Sequence, residues 1–258
     1  MSSRFLLFLA AAFGGALNAV AGGGSFLTLP ALIVAGVSPV VANATSTLAL
    51  WPASLSSTLA YRRELRSSRQ WLIALGLTSV LGGLAGALLL VRTSDDAFLR
   101  LLPWLMLIAA ATFTFGNRLR PAPKDAAAPS HPFEHGAVWR PALLGVIFAQ
   151  FLIATYGGYF GGGMGIMMLA TMALAGMTNI HEMNGLKSFL GVAINGFALA
   201  TFILTGTISW RYGLAMAVGA TLGGYLTAAF ARKLDPRYVR WFVITVGWVM
   251  TIYFFARR

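Results

Sequence analysis

The chain has 258 residues, 58% of them hydrophobic and 10% charged, with a mean hydropathy of +0.76 and a formal net charge of +12. Such values lie outside the range of soluble globular domains and define a membrane protein. The basic residues fall between apolar blocks rather than along one helix face or in a tail, so they read as topological charge for the cytoplasm and not as a nucleic-acid footprint. The absence of Cys excludes disulfides, c-type haem attachment and thiolate metal sites.

Residues 5–61 contain no Asp, Glu, Lys, Arg or His, and neither do residues 141–180. One spanning helix needs about 20 apolar residues, so each run crosses or dips repeatedly. Gly, Pro and Ser within them exclude single long helices, and the weak period-2 alternation argues against an outer-membrane barrel. Arg4 followed by an apolar run and Ala19 to Ala21 resembles a short signal peptide, but the segment recurs later and is assigned to the body of the protein.

The expected apolar segments are 5–36, 38–61, 71–91, 97–116, 141–176, 179–205, 210–230 and 238–256. The first and fifth are too long. As one helix, 5–36 would extend about 48 Å, against a hydrocarbon core of about 30 Å. A glycine triplet lies inside each, and there the segment is expected to break.

"GGGSFLTLPALIVAGVSPVVANATS" from Gly22 and "GGGMGIMMLATMALAGMTNIHEMNGLKS" from Gly161 share a triplet, an apolar stretch, a turn at Gly36 or Gly176, and an asparagine, Asn43 or Asn184. The pair Gly82-Gly83 matches Gly223-Gly224 at the separation of those asparagines. A duplicated unit of roughly 115 residues follows. It divides the chain into a first transmembrane repeat at 1–116, a cytoplasmic linker at 117–139 and a second repeat at 140–258. His131, Glu134 and His135 lie in the linker, whose Pro, Ala and charge mark a solvated segment, and no metal site is expected from them.

Two topologies fit. If the first and fifth segments cross, there are eight spans and the repeats are parallel; if each is a re-entrant hairpin, the second repeat is inverted. Leaving out Lys187, either arrangement puts twelve of the 19 Lys and Arg on one side and six on the other. Both place residues 62–69 and the linker in the cytoplasm, and they differ in where the termini lie.

Backbone that leaves the helix at membrane depth survives only where it is buried in protein or lines a cavity. Gly22, Gly23 and Gly24, and the cluster from Gly157 to Gly165, are such places. Free N–H groups at a half-helix N-terminus attract anions. Tight packing is the other use of small residues and is preferred for the GxxxG pairs Gly82/Gly86 and Gly219/Gly223. Neither cluster is a nucleotide loop, since no GK[ST] follows.

Helix starts follow at Ser38-Pro39 and at Asn179, where Glu182 completes an Asn variant of the capping box. Asn184, Lys187, Ser188, Gly191 and Asn195 then share one face, and Asn43, Ser46, Thr47, Leu50 and Ser54 are their equivalents. Lys187 lies about 12 Å along its helix, where a lysine costs about 2.5 to 3.5 kcal/mol. It either snorkels or pairs with Glu182, or it offers charge to an anion between the repeats. All seven Asp and Glu are near segment ends or in loops, so a small oxyanion is favoured over a cation or a carboxylate proton relay.

"GGYFGGGMGIMMLATMALAGMTNIHEMNGLKSFL" and "GGGSFLTLPALIVAGVSPVVANATS" resemble the two signatures of the sulfite exporter TauE/SafE family of bacterial membrane permeases. The resemblance covers nearly the whole chain. It implies an all-α polytopic protein of the inner membrane that exports sulfite, sulfoacetate or a similar small organic anion by alternating access, with protons as a possible coupling ion and no cofactor. Carried over by motif, the substrate site comprises Gly22, Gly23, Gly24, Ser25, Asn43, Thr45, Ser46, Gly161, Gly162, Gly163, Asn184, Lys187 and Ser188. The first half has Ser46 where the second has Lys187, so the charge of the site is one-sided. A passive anion channel and, further off, an intramembrane enzyme are the competing readings; the latter needs an activated nucleophile or metal constellation that the sequence does not display.

Overall fold

Lipid offers the backbone no hydrogen-bond partners, so apolar segments of this composition become helices that satisfy their own polar groups. The computed structural model describes residues 3–20, 22–60, 69–116, 140–177, 179–230 and 236–257. Ten α-helices and no strand occur among them: α1 (Ser3–Val20), α2 (Ser25–Val34), α3 (Pro39–Ala60), α4 (Arg69–Arg92), α5 (Asp95–Phe115), α6 (Arg140–Tyr159), α7 (Met164–Leu174), α8 (Ile180–Leu204), α9 (Trp210–Phe230) and α10 (Pro236–Ala256). The linker 117–139, with its two histidines, and the basic residues 62–68 lie outside the described residues.

Among the described residues three helices, over Trp71–Arg92, Asp95–Phe115 and Ile180–Leu204, are long and apolar enough to cross a membrane. Ile73, Leu77, Leu81 and Leu88 of α4 recur at helical spacing and are exposed, as are Leu214, Val218, Leu222 and Leu226 of α9. Water would penalise such stripes; lipid does not. Opposite faces carry the core, where Phe26, Phe98, Phe113 and Phe202 are fully or almost fully buried.

The chain starts and stops helices by recognisable local means. Asn179 caps α8, its side-chain oxygen accepting from the N–H of His181 at 3.0 Å and of Glu182 at 3.4 Å. Ser94 caps α5 by accepting from Ala97 N–H. At α3, Pro39 holds the first position and Asp95, from the start of α5, accepts the N–H of Val40 at 2.9 Å. A carboxylate at that helix N-terminus also meets the positive end of its dipole.

Neighbouring contacts fix helix direction. A Cβ placed on Gly14 of α1 would lie 2.8 Å from Thr28 Cγ2 of α2, although Thr28 comes fourteen residues later. An α2 that continued along α1 would put it about 20 Å away, so α2 folds back. Gly163 of the second break touches Ala109 and Ile166 touches Gly116, so α7 runs alongside α5 in the same sense. Gly82 against Phe151 and Ala154, with Gly86 against Thr155 and Tyr159, makes α4 and α6 parallel. Gly219 against Phe8 and Gly223 against Ala12 does the same for α1 and α9. Direction alternates from each helix to the next.

One consequence is that α1, α3, α5, α7 and α9 start toward one face, called here the terminal face because α10 also ends there. The ends of α3 and α5 and the starts of α4, α6 and α8 mark the opposite face. α2 and α7, at 10 and 11 residues, are half-length. A second consequence concerns pairing. α1 packs on α9 and α6 on α4; α3 packs on α9 and α8 on α4; α3 crosses α8, and α5 pairs with α10. Exchanging α1–α5 for α6–α10 maps this set of pairings onto itself.

Candidate functional site

Both helix breaks are built on glycine, by different means. At the first, Gly22 adopts φ +80° and its N–H closes onto the Leu17 and Asn18 carbonyls, ending α1. Gly24 is helical, with φ −58°. At the second, Gly161 and Gly163 take φ +86° and +80°, a region costly to residues with a Cβ. The Tyr156 hydroxyl holds that break in place, 2.7 Å from the Gly162 carbonyl and 3.1 Å from that of Leu105 on α5. Gly157 and Gly158 of the same cluster remain helical and serve packing, against Met164 and Gly83. Neither α2 nor α7 has a side-chain cap; backbone carbonyls take part of each first turn, Phe26 and Leu27 N–H donating to Gly23 and Gly24 in α2 and Ile166 N–H to Gly163 in α7.

The first-half candidates on α3 are occupied. Ser46 is 2% exposed, and its hydroxyl is 2.6 Å from that of Thr28, which also reaches the Gly24 carbonyl. Asn43, equally buried, donates to the Tyr159 carbonyl at the end of α6. Thr45 is fully buried and accepts the N–H of Ser209 just before α9. Ser25 is half-buried. One residue further, Phe26 is fully buried edge-on to Phe113 with ring centroids 5.8 Å apart. An aromatic core therefore fills the space beside the first break.

The second-half candidates are open by comparison. Asn184, Lys187, Ser188, Gly191 and Asn195 are all half-buried. Counting from each triplet, Gly165 stands where Phe26 stands in the first half. A Cβ on Gly165 would meet Lys187 at Cδ, 3.3 Å, and Cγ, 3.6 Å. The lysine stem thus runs over the bare first turn of α7. Asn195 lies on the other side of the break, its Oδ1 4.0 Å from a Cβ placed on Gly161.

Chemically this brings together two features of one sign. A helix N-terminus carries about half a positive charge, and the lysine beside it carries a full one. Half-buried and weakly screened, the pair is complementary to an anion.

Thr28, Tyr156, Tyr159 and Ser209 are not among the sequence candidates, and Gly165 enters there only as the end of the second glycine cluster. Ser46 for Thr28, Leu105 for Tyr156, Thr93 for Tyr159 and Thr45 for Ser209 are distant partners, and of these four only Tyr156 and Tyr159, aromatic residues flanking glycines in "YGGYFGGG", carry a local sign.

The family model described as sulfite exporter TauE/SafE matches residues 7–254. The "Probable membrane transporter protein ORF9" of Sinorhizobium sp is 30% identical over 247 residues, covering 95% of this chain and 90% of that protein. "Probable membrane transporter protein YfcA" of Escherichia coli (strain K12) is 29% identical over 248 residues, covering 95% and 87%. "Probable membrane transporter protein YunE" of Bacillus subtilis (strain 168) is 26% identical over 223 residues, covering 83% and 80%. No solved structure matches the chain.

Proposed function

The chain belongs to the sulfite exporter TauE/SafE family, and from that membership we propose a secondary transporter that exports sulfite or a small organosulfonate across the bacterial inner membrane. In this reading residues 1–116 and 140–258 are two inverted repeats, joined by a cytoplasmic linker at 117–139, and the anion binds at the second glycine break. The observation that carries it is Lys187 lying along Gly165 beside the uncapped start of α7. A pyramidal or tetrahedral oxyanion would accept from the N–H groups of Met164 and Gly165 at the start of α7, from Ser188 and from Lys187. Gly161, Gly162, Gly163 and Asn184 complete the pocket. Gly22, Gly23, Gly24, Ser25, Asn43, Thr45 and Ser46 shape the inverted half without contacting the anion in this conformation.

Sidedness follows from charge. Arg69 and Arg140 open helices at the opposite face, and the sequence places Arg62, Arg63, Arg66, Arg118, Arg120, Lys124, Arg232 and Lys233 in the connections between helix ends there. The positive-inside rule assigns that face to the cytoplasm.

Calorimetric titration of the purified protein with sulfite, sulfoacetate, taurine and chloride tests the proposal. Selective binding of one sulfur oxyanion, lost in Lys187→Met with folding retained, is the expected result. Binding indifferent to that substitution would remove Lys187 from the site, and binding of none would remove the substrate class.

A further inference from the structure

Three contacts between α8 and the second break follow one another along the helix. Lys187 lies over Gly165; one turn on, Gly191 faces Met164, whose Cε is 3.7 Å from a Cβ placed there; one further turn on, Asn195 lies beside Gly161. The order sets two polar side chains, an ammonium and an amide, on either side of one apolar one. Asn195 stands about 200° around α8 from Phe197, which is exposed, so the amide faces the interior.

Met164 and Trp51 flank α8 beyond the Lys187 site, and they differ in freedom. On the α3 side Trp51 Nε1 donates to the Val192 carbonyl at 3.2 Å, and the ring covers Gly196, where an added Cβ would meet Nε1 at 3.3 Å and Cζ2 at 3.5 Å. That ring is pinned. Met164 is buried, but its side chain is unbranched with three rotatable bonds, and two of its neighbours, Gly157 and Gly191, present bare backbone. The first half fills this level in reverse. Ser25 stands where Met164 stands and Leu50 where Gly191 stands, and Leu50 Cδ2 and Cδ1 lie 2.9 and 3.0 Å from a Cβ placed on Gly24. There a branched side chain from the full-length helix closes the gap within the main core; here a flexible one from the half-helix does so beside the lysine.

We propose that Met164 is the movable barrier of the anion path, separating Lys187 from a second polar station at Asn195. The barrier rests on the transporter reading but not on which anion is carried. A buried thioether keeps water and ions apart as other apolar constrictions do, and its rotamers exchange at little cost. Opening it takes a change at one side chain, so the backbone contacts that pack α4 on α6 and α1 on α9 stay in place.

The chain contains no Cys, so single-cysteine variants need no background removal. In sealed vesicles Arg140→Cys identifies the side to which a membrane-impermeant anionic reagent, sulfonatoethyl methanethiosulfonate, is added. From that side it should modify Ser188→Cys, short of the barrier, faster than Asn195→Cys beyond it. Adding Met164→Ala should raise the Asn195→Cys rate about tenfold and change the Ser188→Cys rate by less than about twofold. Met164→Leu, of similar volume, should keep Asn195→Cys protected. Gly191→Ala, whose Cβ fits at van der Waals contact with the methionine, should slow Asn195→Cys further, and it decides the matter if Met164→Ala does not fold. Asn195→Cys as reactive as Ser188→Cys in the otherwise unaltered protein overturns the proposal. So does a rate unmoved by whichever of the two variants folds, or a rise shared equally by both probes. Labelling needs no bound substrate, so failure of the sulfur-oxyanion reading in the calorimetric titration leaves the outcome readable.

Discussion

Lys187 was conspicuous in the sequence because a charge inside an apolar run has nowhere to hide. What the sequence withheld was its surroundings, since Gly165 comes from a different helix. A β-branched side chain at 165 would collide with the lysine stem, already 3.3 Å from a single added carbon. Gly165→Val should weaken anion binding about tenfold, or ~1.4 kcal/mol, while Lys187→Arg retains binding and Lys187→Met does not; titration of the three purified variants checks this. Asn43 and Thr45 read as ligands because their partners lie 116 and 164 residues away, and no local pattern announces a buried bond over that distance. Asp95 is a third residue of this kind, capping a helix 55 residues earlier. Asp95→Ala should cost about 1 kcal/mol in a denaturation series, the typical loss for a missing cap.

At the scale of helices, the glycine patterns were legible in kind. Gly82, Gly86, Gly219 and Gly223 let α4 meet α6 and α1 meet α9 at backbone contact, which is what small residues at that spacing permit. A larger side chain must push those helices apart. Gly86→Leu and Gly223→Leu are expected to lower stability by about 1 to 3 kcal/mol, seen as earlier thermal aggregation in detergent. The two half-length helices differ more than their sequence alignment suggests. α2 buries Phe26, Leu29 and Leu32, whereas α7 buries Met164, Met168 and Met172. Methionine adapts to shifting neighbours where a ring does not, so α7 is the half-helix better suited to move. Replacing its three buried methionines by leucine should leave the fold intact, at under about 1.5 kcal/mol each, and slow transport measured as anion flux in vesicles.

For the whole molecule, composition alone established an all-helical membrane protein, yet charge left the topology tied at twelve against six. Contacts such as Gly14 with Thr28, which require α2 to turn back, favour the re-entrant arrangement proposed above. Topology is a property of how segments meet, and segment lengths near the limit of the bilayer do not encode it. The termini are then expected outside the cytoplasm. Alkaline phosphatase fused after Arg258 should be active, and a fluorescent protein there dark; the reverse pair of results would turn the protein over.

Parity has its own consequence. Among the described residues five helices precede 117–139 and five follow, an odd number on each side. Any two like units of odd count joined end to end enter a bilayer upside down relative to each other, without a further crossing to arrange it. The half-helices make the count odd, so deleting either one should do more than remove a binding surface: every pass synthesised after it would face the wrong way.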